Sequence, residues 1–113
     1  MSKGKPFACN VSEMSPATSP AGLSWILTNN DYMVVGRHKI APGQAHPPNS
    51  HDNEEECFYV LAGTGVAIVG ESEIPVTAGS FVYVPRNTTH SMKNTGREHL
   101  EYLFFGAFVE PGK

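Results

Sequence analysis

From Leu23 onward the sequence is cut into short runs of β-branched and aromatic residues, each ended by turn-forming residues. LSWILT at 23–28, YMVVGRHKI at 32–40, ECFYVL at 56–61, GVAIV at 65–69, EIPV at 73–76, FVYV at 81–84, HSMK at 90–93 and HLEYLFFGAF at 99–108 follow one another in this way. Between them stand Asn29-Asn30-Asp31, Ala41-Pro42-Gly43, Gly63, Gly70-Glu71, Ala78-Gly79 and Asn94-Thr95-Gly96. Such residues take the backbone conformations that turns need. No run carries a sustained helical period with caps, and nine prolines and eleven glycines would break long helices. The chain is therefore expected to be all-β, an antiparallel barrel or jelly roll of eight or nine strands.

At 113 residues there is material for one core and not for two. Residues 1–22 are polar and interrupted by Pro6, Pro16 and Pro20, so they read as an extended N-terminal arm ahead of a barrel spanning 23–113. Phe7–Val11 is a candidate edge strand, for this sheet or for that of a partner subunit. The formal net charge is −3, and the basic residues are scattered, which argues against nucleic acid as a partner. No apolar run is long enough to span a membrane, and no apolar segment follows the weakly basic N-terminus. A cytoplasmic protein is the expectation, with Cys9 and Cys57 as reduced thiols.

The chemistry lies in histidines and one glutamate. In the run beginning at Glu56, period-two alternation puts Glu56, Phe58 and Val60 on one face. A carboxylate facing an apolar interior is costly unless something compensates it, and a metal ion would. His90 opens a short strand with the same parity as Met92 and Asn94, after the turn Pro85–Thr89. By contrast Glu54 and Glu55, with Asp52, read as a solvated turn. Phe58, Tyr83, Met92, Tyr102 and Phe104 alternate toward the interior, either as a pocket wall or as core filling. The alternation that includes Ile40 puts His38 on the cavity side and Arg37 outside.

The spacing of these residues resembles that of the cupins. Their first motif is glycine, five residues, His-x-His, three or four residues, glutamate, six residues, glycine. Here Gly43, Asn49, His51, Glu56 and Gly63 fall at those positions, with asparagine in place of the first histidine. The second motif is glycine, five residues, Pro-x-Gly, two residues, histidine, three residues, asparagine. Gly79, Pro85, Asn87, His90 and Asn94 fall there, with asparagine in place of the middle glycine. Asparagine tolerates the left-handed backbone best after glycine, so that turn should persist.

The resemblance implies a single-domain cupin, an antiparallel double-stranded jelly roll, with a divalent metal on His51, Glu56 and His90. With Asn49 in the first ligand position, three arrangements stay open: His46 as the further ligand, Asn49 as a weak ligand, or neither. His46 and Glu56 are then the candidate catalytic groups. Two histidines and a carboxylate with open positions suit Fe(II), a chelating substrate and dioxygen. The expected function is a non-haem Fe(II) dioxygenase acting on a small oxygenated organic molecule. The alternatives are a Zn, Ni or Mn cyclase, isomerase, lyase or decarboxylase, and a non-catalytic small-molecule binder. A homodimer is expected on the same resemblance.

Overall fold

A computed structural model describes residues 4–19 and 21–111. Residues 1–3, Pro20 and 112–113, part of the expected arm and the end of the expected barrel, lie outside the described residues. Among the described residues nine strands follow a short 3-10 turn at Val11–Glu13: β1 (Ala17–Ser19), β2 (Gly22–Asn29), β3 (Met33–Ile40), β4 (Glu54–Ala62), β5 (Thr64–Val69), β6 (Ser72–Thr77), β7 (Phe81–Val84), β8 (His90–Asn94) and β9 (Leu100–Phe108). They form a six-stranded sheet, β1-β2-β3-β9-β4-β7, and a three-stranded sheet, β6-β5-β8. Every pairing is antiparallel. No helix among the described residues is long and apolar enough to cross a membrane. The expected all-β jelly roll is the architecture found.

Within the chain itself the arm adds a different strand from Phe7–Val11. Residues 7–10 form no strand, and Phe7 is exposed. The strand of the arm is β1, which pairs with β2 of its own chain, and Met14 accepts a hydrogen bond from the Trp25 indole. The proline-flanked segment Ala17–Ser19 thus occupies the sheet edge, where a missing amide donor is tolerated.

Strand parity sends one row of side chains per strand between the sheets. Across the large sheet Val34, Gly106, Glu56 and Val84 are register partners, as are Gly36, Phe104, Phe58 and Val82, and then His38, Tyr102 and Val60. From the small sheet Val76, Ala67 and Met92 close the other side of the core. Two glycines make room in these rows. A Cβ at Gly36 would collide with the Phe104 ring, and one at Gly106 would come within 2.6 Å of the Glu54 carboxylate. Glycine is spent here on space for a neighbour, since neither position has positive φ.

Both asparagines of the second motif have structural roles. Asn87 takes φ 58°, the left-handed region the turn requires, and its N–H donates to the His51 carbonyl at 2.7 Å. Asn94 is fully buried, with Nδ2 donating to the Ile40 and Glu98 carbonyls and Oδ1 accepting from the Gly96 amide. Its side chain therefore ties β3 and the β8–β9 turn together at the closed end of the barrel. Asn94→Ala removes three hydrogen bonds, leaves the buried Ile40 carbonyl unsatisfied and should cost about 3 kcal/mol of stability. Urea unfolding monitored by Trp25 fluorescence measures this.

Candidate metal centre

The two segments that carry the histidine and glutamate side chains are joined through the backbone. Asn49 and His90 exchange both amide hydrogen bonds, at 2.9 and 2.8 Å, and Asn87 holds the His51 carbonyl. Glu56 enters from the adjacent sheet, on the inward row of β4. One donor atom each from His51, Glu56 and His90 lie within 4.8 Å of one another. Glu56 and His90 are buried and His51 is half-buried, so the cluster closes one side of a cavity of about 220 Å³.

The local chemistry of His90 shows what this cluster needs. Its Nδ1 lies 3.0 Å from the Thr88 carbonyl, which can only accept, so Nδ1 carries a proton. In the neutral ring Nε2 is then a bare lone pair, and it faces Glu56 Oε1 at 2.9 Å. That buried oxygen makes no hydrogen bond of acceptable geometry among the described residues. Two acceptors opposed at this distance require a cation between or beside them. Without metal the cation is a proton, and the Glu56 carboxylate accordingly raises the His90 pKa. A divalent metal satisfies both atoms together with His51, so the donor set fits such an ion. Its binding would displace that proton, as metal binding to histidine generally does.

Glu54 was the residue least legible in the sequence. It lies inside β4, two residues from Glu56 and on the same face, so the expectation of a solvated turn is corrected. Its carboxylate rests over Gly106 and its Oε2 is 3.9 Å from His51 Nε2. Burial and then the neighbouring Glu56 charge raise its pKa. The run Asp52–Glu56 looked solvated because five polar residues mask a strand start; the missing signal was the glycine opposite. Glu55 does point outward, where it accepts from the Tyr83 hydroxyl at 3.0 Å.

Tyr83 is a second correction. Inward parity on β7 belongs to Val82 and Val84, and Tyr83 is 51% exposed on the outer face with Phe81 and Phe105. Phe58, Met92, Tyr102 and Phe104 do line the cavity. His46 and Asn49 line it as well, but in different ways. The Asn49 amide oxygen accepts from the Ser50 N–H at 2.9 Å. The His46 ring packs against His38, with centroids 4.2 Å apart, and is not one of the three donors within 4.8 Å of one another. Its pKa is lowered chiefly by burial. His38 is clamped further by near-parallel stacking on Phe104 at 4.4 Å, and burial, followed by the nearby His46, lowers its pKa to about 3.

Two outcomes follow. Glu54→Gln removes a negative charge beside the cluster and should weaken Mn(II) or Zn(II) binding about tenfold by calorimetry, while Glu55→Gln leaves it unchanged. His38 titrates near 6.5 when unfolded and near 3 when folded. Its contribution is neutral above pH 6.5 and destabilises the fold as pH falls from there toward 3, because the unfolded chain binds the proton. Replacing it by phenylalanine should reduce the stability lost between pH 7.5 and 4.5 by about 2 kcal/mol, measured by denaturant unfolding.

The comparisons with known proteins agree with this geometry. The Cupin domain family matches residues 36–106. The oxalate-binding protein of Thermotoga maritima is 32% identical over 75 residues, 66% of this chain and 62% of that protein. Auxin-binding protein 1 of Arabidopsis thaliana is 38% identical over 73 residues, 57% of this chain and 36% of that one. The chain thus spans less than two thirds of the length of these curated relatives. Among solved structures, a predicted oxalate decarboxylase from Thermotoga maritima superposes with a TM-score of 0.82 at 24% identity, covering 90% of this chain and 99% of that one. The polyketide cyclase RemF of Streptomyces resistomycificus gives 0.76 at 18% identity, covering 96% and 83%. With the family matched over more than half the chain, and its two motifs meeting at one buried cluster, this protein belongs to the cupin domain family.

Proposed function

We propose that this cupin is a metal-dependent enzyme that acts on a small oxygenated organic molecule, with Fe(II) and dioxygen as its chemistry. The observation that carries the reading is the opposition of His90 Nε2 and Glu56 Oε1 at 2.9 Å beside His51, on the wall of a cavity. His51, Glu56 and His90 would hold the metal, two histidines and one carboxylate with coordination positions left for other ligands. When bound, Fe(II) supplies the redox chemistry that joins dioxygen to a chelating substrate. The chain's own residues do the rest. Phe58, Tyr102 and Phe104 give an apolar wall that excludes water and strengthens the electrostatics of the site. Glu56 fixes the charge of the centre, and His46, facing the cavity as a neutral ring, is placed to take or return a substrate proton.

The cavity volume limits the substrate. About 220 Å³ is below the usual range of drug-sized sites. A compact molecule of a few carbons fits. A second reading, non-redox turnover or simple binding with Zn, Ni or Mn, is favoured by the resemblance to the oxalate-binding protein. We place the protein in the cytoplasm, where Fe(II) and the free thiols Cys9 and Cys57 would stay reduced. The exposed apolar side chains of the outer sheet face, Phe81 and Phe105 among them, support a homodimer.

Fe(II)-loaded protein, prepared without oxygen and then mixed with air-saturated buffer and a panel of small α-hydroxy acids, hydroxyketones and diols, should consume dioxygen in step with loss of one panel member. His90→Ala should abolish that consumption. Conversion of a panel member in sealed anaerobic samples would instead establish the non-redox reading.

A further inference from the structure

Glu54 is not one of the three clustered donors, yet the fold keeps its carboxylate beside them. It shares the inward face of β4 with Glu56, its side chain is 11% exposed, and its Oε2 lies 3.9 Å from His51 Nε2. Gly106 makes the space it fills, since a Cβ there would stand 2.6 Å from the carboxylate. His51 and Glu54 line both the cavity of the donor cluster and a second cleft beside it, which also carries Asp52, Asn53 and Asn87. A ligand in either space lies within the field of the Glu54 carboxylate.

No cationic side chain answers that field. Among the described residues lining the cavity and the cleft there is no lysine or arginine. His38 and His46 add no positive charge at neutral pH, because burial lowers the pKa of both. The place for a cation is at Glu56, whose side chain is 9% exposed and whose Oε1 has no hydrogen-bond partner among the described residues. A divalent ion there brings two positive charges, and a bound cation favours the ionised form of a neighbouring carboxylate. Glu54 and Glu56 then balance the ion, and the exposed Asp52 adds further negative charge at the cleft. The loaded centre has no surplus positive charge for a dianion, and partial burial leaves the repulsion less screened than it would be in water.

Resting on the metal-centre reading above, we propose that Glu54 is a charge selector, so that the centre takes a small chelator that is neutral or singly negative, such as a hydroxyketone, a diol or a monocarboxylate, and disfavours dicarboxylates. Glu54 needs no contact with the ligand. It sets the potential felt by the oxygens that a ligand brings to the metal. The repulsion grows with each unit of ligand charge, which separates it from a steric effect.

Oxalate, oxamate and hydroxyacetone test this. The first two are close in shape and differ by one charge, and the third is neutral. Mn(II)-loaded protein, its metal content checked by electron paramagnetic resonance before and after, is titrated calorimetrically with each. The wild-type preference for oxalate over oxamate should be about threefold or more below that of aqueous Mn(II) measured alongside. Glu54→Gln should tighten oxalate binding about tenfold, oxamate about threefold and hydroxyacetone less than about twofold. Glu54→Asp, which keeps the charge, should keep the wild-type order of preference. A wild-type preference equal to that of the free ion, or an equal or absent change for the three ligands in Glu54→Gln, overturns the selector and leaves the metal centre standing. The comparison with aqueous Mn(II) decides the matter even where Glu54→Gln fails to fold. Failure of wild-type protein to hold Mn(II) overturns both.

Discussion

The site depends on one carbonyl. Because the Thr88 oxygen can only accept, it fixes the proton of His90 on Nδ1 and turns Nε2 toward the Glu56 carboxylate as a lone pair. Everything nearby either enforces or answers that opposition. The paired amide bonds between Asn49 and His90 set the separation of the two motif segments, and the Asn87 turn holds the His51 backbone. The neighbouring Glu54 adds negative charge, so the centre calls for a cation more strongly than its three donors alone would. A histidine oriented by a carbonyl through its other nitrogen is the ordinary way a protein prepares an imidazole for metal.

The sheets supply rigidity and division of labour. Inward rows of the large sheet run from apolar at the closed end, where Ile40 and Leu100 are register partners, through the His38–Tyr102 and Phe104–Phe58 rows to Glu56. Polarity is thus graded along one barrel interior by strand parity alone. The closed end is stapled by the buried Asn94 side chain, whose three hydrogen bonds join elements that the strand ladders leave separate. The open end keeps its polar groups, and there the chemistry lies.

Much of this was legible in the residues because period-two alternation and turn chemistry are local signals. From β2 onward the strands fall within about two residues of where the runs of Val, Ile and aromatic side chains put them, and Glu56 and His90 face inward as their parity requires. Asn87 in place of glycine was readable too, since φ 58° is the conformation asparagine shares with it. Glu54 and Tyr83 were not readable in the same way. The inward turn of Glu54 depends on a gap at Gly106, a residue 52 positions later in the sequence, on the neighbouring strand. Tyr83 has the alternation of its strand right and the face wrong, because a short apolar run such as Phe81–Val84 does not declare which side is buried. The His38–His46 contact is likewise a meeting of β3 with a loop beyond it, invisible to any local pattern.

The most direct measurement is nitrogen-15 NMR of the histidine side chains, without metal and after one equivalent of Zn(II), at a pH above the raised His90 titration. His90 should show a protonated Nδ1 in both states, and its Nε2 resonance should move to the metal-bound range together with one nitrogen of His51, while His38 keeps a neutral ring. A His90 spectrum unchanged by Zn(II), or protonation of Nε2 rather than Nδ1 in the metal-free protein, would contradict a metal centre built on His51, Glu56 and His90.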